Sequence, residues 1–215
     1  MVNKNGTLIL CGGGDAGETM RINQYFSNII DTARPLLYIP LAGDLKKRSY
    51  EESYDYTYNL FRDYGVREVV MWTDLRDKSY GDLHSFSSIY LSGGSALQLL
   101  KTIRESEFEE VLLAYYQNGG ILYGQSAGAI IFGKYINSVD HNCPERGMNL
   151  VEGIWCHYKP EDDDKVMSFA KRLESSVLAI SDGAAVVCRG NRSFAIGADS
   201  VYIFNKNGKK VIGRQ

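Results

Sequence analysis

Histidine is scarce in this chain of 215 residues: there are three, His84, His141 and His157, so any reaction that needs an imidazole base has few places to find one. Cysteine is nearly as scarce. Cys11, Cys143, Cys156 and Cys188 are scattered, with no CxxC pair and no histidine at ligand spacing, which argues against both a zinc site and a disulfide framework. No apolar run approaches the length of a membrane span, and the apolar stretch near the start is too short for the core of a signal peptide. Neither acidic nor basic residues dominate. The net charge is -2, and lysine and arginine are spread along the chain instead of forming a basic tract, so neither nucleic acid nor an anionic membrane is an expected partner. A cytoplasmic protein that acts on a small molecule or short chain is expected.

With 44% hydrophobic and 23% charged residues, the chain has the composition of a globular protein, and its length suits one α/β domain over residues 1–215. Short apolar runs alternate with longer amphipathic stretches. That alternation predicts a mostly parallel central sheet flanked by helices on both faces. Strands are expected at residues 7–11, 36–40, 68–72, 89–91 and 121–123, and helices at 18–30, 96–104 and 107–117. A Tyr-rich helix, SYEESYDYTYNLFRDYG, should close at Gly65. The last third changes character: VLAIS, AAVVCR, SFAIGA and VYIFN, separated by Asp-Gly, Gly-Asn and Lys-Asn-Gly turns, read as antiparallel strands near the sheet edge. Before them, residues 162–173 place Val166, Phe169, Ala170 and Leu173 on one helical face.

Three glycine-rich corners follow strands. The first, CGGGDAGE, sets Gly12, Gly14 and Gly17 at G-x-G-x-x-G spacing, the setting of a dinucleotide fingerprint. Against it, the second strand ends in Pro40-Leu41-Ala42-Gly43 without a ribose-binding carboxylate, and Asp15 and Glu18 would repel a pyrophosphate. A tight strand-to-helix turn is the better reading, and no cofactor is expected. The third corner is sharper. Gly124-Gln125-Ser126-Ala127-Gly128 is G-x-S-x-G between a strand and a helix, the context of a nucleophile elbow, in which the serine oxygen is exposed and the Ala127 N–H is free to hold an oxyanion. The second corner, IYLSGGSALQLL, lies one strand earlier; if the two strands are neighbours, Gly94 can supply a second donor.

A serine nucleophile needs a base and an orienting carboxylate. His157, after the apolar run 154–156, is the first candidate for the base, and His141, in the polar loop SVDHNCPERG, the second. For the carboxylate, Asp182 in AISDGAAVV and Asp140 in NSVDHN both qualify, and an Asp-Gly pair is equally a turn signal, so spacing alone does not choose.

LILCGGGDAGE, IYLSGGSALQLL and GGILYGQSAGAIIFGKYI, in that order, resemble the peptidase E and cyanophycinase family of serine peptidases. The resemblance implies a class I glutamine amidotransferase-like fold, with serine where those enzymes carry cysteine. It further implies Ser126 as nucleophile, His157 as base, Gly94 and Ala127 as oxyanion donors and Asp182 as the acidic member, where peptidase E has glutamate. It favours a dipeptidase or exopeptidase of very short peptides. The chemistry of such a site requires no metal, and a homodimer is allowed for. Two departures stand out. Ser95 replaces the asparagine common after the glycine loop, and KPEDDDK stands where aspartyl dipeptidases carry an Arg-containing segment, so strict preference for N-terminal aspartate is not expected and a neutral or basic residue is. An esterase or amidase of small molecules, and a binding domain that keeps the elbow without chemistry, are the alternatives.

Overall fold

In a computed structural model that describes residues 6–136 and 145–214, the short apolar runs become the strands of two main sheets. The first half of the chain forms β1 (Thr7–Cys11), α1 (Met20–Ile29), β2 (Leu36–Ile39), α2 (Tyr50–Arg62), β3 (Val69–Met71), β4 (Ser88–Leu91), α3 (Ala96–Glu105), α4 (Phe108–Gln117), β5 (Ile121–Gln125) and the single turn α5 (Ala127–Ile130). The second forms the short pair β6 (Tyr135–Ile136) and β7 (Glu145–Arg146), then β8 (Gly153–Cys156), α6 (Asp163–Leu173), β9 (Val177–Ile180), β10 (Ala184–Arg189), β11 (Arg192–Gly197), β12 (Val201–Asn205) and β13 (Gly208–Val211).

The larger sheet runs β11-β10-β1-β5-β4-β2-β3. Strands β1, β5, β4, β2 and β3 are parallel, and β10 and β11 close one edge antiparallel. Every residue of β1, β2 and β4 is buried, as expected of parallel strands covered on both faces. Alternation along β1 divides the core. Leu8 and Leu10 pack with Leu99 of α3 and Leu112 of α4, while Ile9 and Cys11 pack with Ile22 and Phe26 of α1 and Phe61 of α2.

Local signals set the helix ends. Ser49 and Glu52 form a reciprocal capping box at the start of α2. At its far end Val66 N–H donates to Phe61 O (3.2 Å) and Gly65 N–H to Arg62 O (2.9 Å), a Schellman closure with Gly65 at φ +90°.

The antiparallel strands of the last third divide between the sheets. β10 and β11 stay with the large one; β9, β12 and β13 join β8 in a second sheet of order β13-β12-β9-β8. The VLAIS run therefore pairs parallel with β8 and antiparallel with β12, and the turn at Asp182-Gly183 carries the chain from one sheet to the other instead of making a hairpin. Leu178 and Ile180 of β9 face the core of the large sheet, while Val177 and Ala179 face Phe169 and Leu173 of α6.

Candidate active site

Ser126 follows β5 with φ 51° and ψ -108°, a backbone region that costs L-residues energy and persists where neighbours over-determine it. Its N–H donates to Cys11 O at the end of β1 (2.9 Å), and its own carbonyl accepts from Ala129 and Ile130 (2.9 Å each), which starts α5. Both elbow glycines are required by close approach: a Cβ on Gly124 would lie 2.3 Å from Gly128 O, and one on Gly128 2.4 Å from Leu91 O. The helix expected after the elbow is only one turn long, because the carbonyls of Ile131 and Phe132 are already engaged by the N–H groups of Met148, Leu150 and Val151.

His157 leaves β8 in the left-handed region, φ 54°, its N–H donating to Gly12 O (3.1 Å). This turns its ring toward the elbow. Nε2 lies 2.7 Å from Ser126 Oγ, and Nδ1 lies 2.6 Å from Asp182 Oδ1. With the carboxylate on Nδ1, the proton belongs there and the Nε2 lone pair faces the serine hydroxyl. Asp182 is held by the turn behind it, where Gly183 N–H donates to Gly13 O (3.0 Å). The His157 and Asp182 side chains are 54% and 40% exposed, so the hydrogen-bonded row opens to solvent and to a substrate. Asp140 and His141 lie outside the described residues. His84 sits in the turn before β4, edge-on to Tyr80 and at the opposite end of that strand from Ser126.

On the other side of Ser126, β4 and β5 are adjacent and in parallel register. The loop after β4 therefore reaches the elbow: a Cβ on Gly93 would lie 3.4 Å from Ser126 Cβ. Gly94, φ +141°, is pressed against Ala42, whose carbonyl also accepts from Ser95 N–H (2.8 Å). Among the described residues, neither the Gly94 N–H nor the Ala127 N–H donates to another protein group.

The sequence profile of peptidase family S51 matches residues 8–196. The chain belongs to peptidase family S51. It is accordingly a serine-type peptidase, a hydrolase of peptide bonds. Two solved structures share the fold of this S51 chain. A peptidase from an acI-B1 Actinobacterium has 21% identity and a TM-score of 0.70, covering 100% of this chain and 96% of its own. A protein described as peptidase E from Listeria monocytogenes EGD-e has 17% identity and a TM-score of 0.68, covering 90% of this chain and 99% of its own. No curated protein sequence matches.

Within this S51 fold, three site residues carry no signal that spacing alone could reveal. Gly13 is the first: a Cβ there would lie 2.3 Å from both Asp182 Oδ1 and His157 Cε1, so the glycine-rich corner is the floor beneath those two side chains. Two amides further along the same corner are already engaged. Asp15 Oδ1 accepts from the N–H groups of Gly17 (2.8 Å) and Glu18 (3.0 Å), donors that a dinucleotide pyrophosphate would need. Gly93 is the second, and Gln125 the third, its Nε2 donating to Gly14 O (2.9 Å) and its Oε1 accepting from Tyr90 OH.

The KPEDDDK segment opens α6, and two of its four carboxylates are paired: Asp162 with Lys165 (3.0 Å) and Asp163 with Lys209 (2.9 Å). Cys11 and Cys156 lie beneath the elbow, with Cys156 Sγ 3.6 Å from Ser126 O. Burial pushes the Cys11 thiol up to about 11 and the Cys156 thiol well up, so both are inert thiols. Among the described residues no group of histidine, cysteine and carboxylates could hold a metal ion, and no helix is long and apolar enough to cross a membrane.

Proposed function

We propose that the protein is a serine exopeptidase or dipeptidase that hydrolyses short peptides through an acyl-enzyme on Ser126. The observation that carries the reading is the continuous row Asp182, His157, Ser126, with spacings of 2.6 and 2.7 Å, at the end of β5. In this reading His157 Nε2 takes the Ser126 hydroxyl proton as Oγ bonds to the scissile carbonyl carbon. The amides of Gly94 and Ala127 hold the resulting oxyanion. His157 then gives the proton to the departing amine as the C–N bond breaks, and Asp182 stabilises the imidazolium between the two transfers. Water, activated by the same imidazole, releases the acyl group.

Length and charge preferences follow from the rims of the site. On one side Asp15 and Glu18 border Gly14, one residue from the floor glycine, which favours a neutral or basic N-terminal residue and its ammonium. On the other, a cavity of about 670 Å3 beside Gly94 is lined by Lys46 and Lys47 together with Asp44, two cations against one carboxylate, a balance suited to a peptide's terminal carboxylate. A short peptide with both termini free matches that polarity. We place its work in the cytoplasm, a reading supported by Cys11 and Cys156, both buried free thiols.

The test is hydrolysis of a dipeptide library with acidic, neutral and basic N-terminal residues, alongside acyl esters, by the protein and by Ser126→Ala. Peptide cleavage lost in the variant is the expected result. Ester cleavage without peptide cleavage would give the site to an esterase, and equal rates in both proteins would remove Ser126 from the chemistry.

A further inference from the structure

His157 is held in a backbone conformation that L-residues avoid, and such outliers survive where the surroundings leave no alternative. On its N-terminal side the restraint is the bond to Gly12 O. On its C-terminal side it is Tyr158, whose N–H donates to Ile180 O (3.1 Å) and whose ring is buried against Tyr202 and Phe204. The phenol end of Tyr158 is fixed as well. Its hydroxyl donates to Asp163 Oδ1 and accepts from Lys209 Nζ (2.6 Å), and the ammonium also reaches both Asp163 oxygens (2.9 and 3.0 Å). The same ammonium sits 4.1 Å from the Tyr202 ring centroid and 5.5 Å from that of Phe204. One cation thereby joins the edge strand β13, the first turn of α6 and the residue next to His157.

We infer that Lys209 is a positioning residue for His157: it clamps Tyr158 and Asp163 so that the left-handed His157 backbone keeps Nε2 against Ser126 Oγ. Lys209 lies beyond residue 196, where the family match ends. The clamp also gives the acidic KPEDDDK segment a task, with Asp163 serving as its anionic half. The inference rests on the serine-peptidase reading of Ser126 and His157.

The experiment compares Lys209→Met, which keeps the stem and removes the charge, with Lys209→Arg. Kinetics on a dipeptide cleaved by the parent protein are read together with the downfield proton resonance of His157 Nδ1–H, whose hydrogen bond to Asp182 can be seen without turnover. The methionine variant should lose about ten- to a hundredfold in kcat with KM changed by no more than about twofold, and its downfield resonance should broaden or vanish. Arginine should restore the resonance and bring kcat to within about threefold of the parent, since it keeps the cation and its donors. Unchanged kcat and an unchanged resonance in Lys209→Met, with only a lower Tm, would overturn the inference and leave Lys209 a structural residue. If the parent shows no Ser126-dependent hydrolysis, the peptidase reading fails on its own, and the resonance still decides whether Lys209 positions the ring.

Discussion

A methyl group on residue 13 has nowhere to go: Asp182 Oδ1 and His157 Cε1 already occupy the space, and φ at +138° disfavours any side chain. Gly13→Ala should therefore displace the imidazole and lower kcat/KM by about a hundredfold or more, while far-UV circular dichroism stays that of the parent. Activity equal to the parent would mean that the loop can yield without moving His157. Asp182→Asn tests the next contact, because an amide keeps the size of the carboxylate and removes the charge that favours Nδ1–H. We expect a loss of about three to four orders of magnitude in kcat with little change in Tm, measured on the best dipeptide of the library. The reactivity of the buried thiols is the reverse case: alkylation of the folded protein at neutral pH should leave Cys11 and Cys156 unmodified, and mass spectrometry of the digest would reveal any adduct.

At the scale of elements, α2 offers a clean measure of a local signal. Gly65 adopts a positive φ in the Schellman closure and has open space around it, so Gly65→Ala adds only backbone strain. The expected cost is about 1–2 kcal/mol in urea unfolding, with kcat unchanged because this end of α2 lies away from Ser126. Such elements were legible in the sequence because their determinants are neighbours in the chain: the short apolar run of β1, the Gly65 closure of α2, the glycines and serine of the elbow. What was not legible depends on groups distant in sequence. The glycine-rich corner announces a tight turn, but only the approach of residues 157 and 182 makes Gly13 a floor. The Asp-Gly pair at 182 reads equally as a hairpin, and its task of passing the chain between sheets appears only when β9 is seen beside β8. Nothing in VYIFNKNGKK says that Lys209 will meet Tyr158, since that contact needs β12, β13 and α6 to be assembled.

The molecule as a whole should respond to alkali more than its net charge suggests. Burial pushes Cys11 from the ordinary 9.0 to about 11 and Tyr115 from 10.0 to about 12, and it raises Cys156, Tyr90 and Tyr123 well above their ordinary values. Each group binds its proton more tightly folded than unfolded. The stability this represents is fully present below the unfolded values and is lost as pH rises through the window between 9.0 and about 11 and beyond. Thermal melts should thus hold their Tm up to about the lower edge of that window and fall above it; a Tm independent of pH across it would mean that these groups ionise without unfolding the core. The register of the large sheet has a further consequence during synthesis. Strand β1 is flanked by partners made much later, with Thr7 opposite Ile121 on one side and opposite Arg189 on the other. A nascent chain therefore carries a strand of largely apolar residues (TLILC) with both edges open until β5 leaves the ribosome, and with one edge open until β10 does. Ribosome-bound chains halted before residue 184 should engage holdase chaperones, and those released after β10 should not.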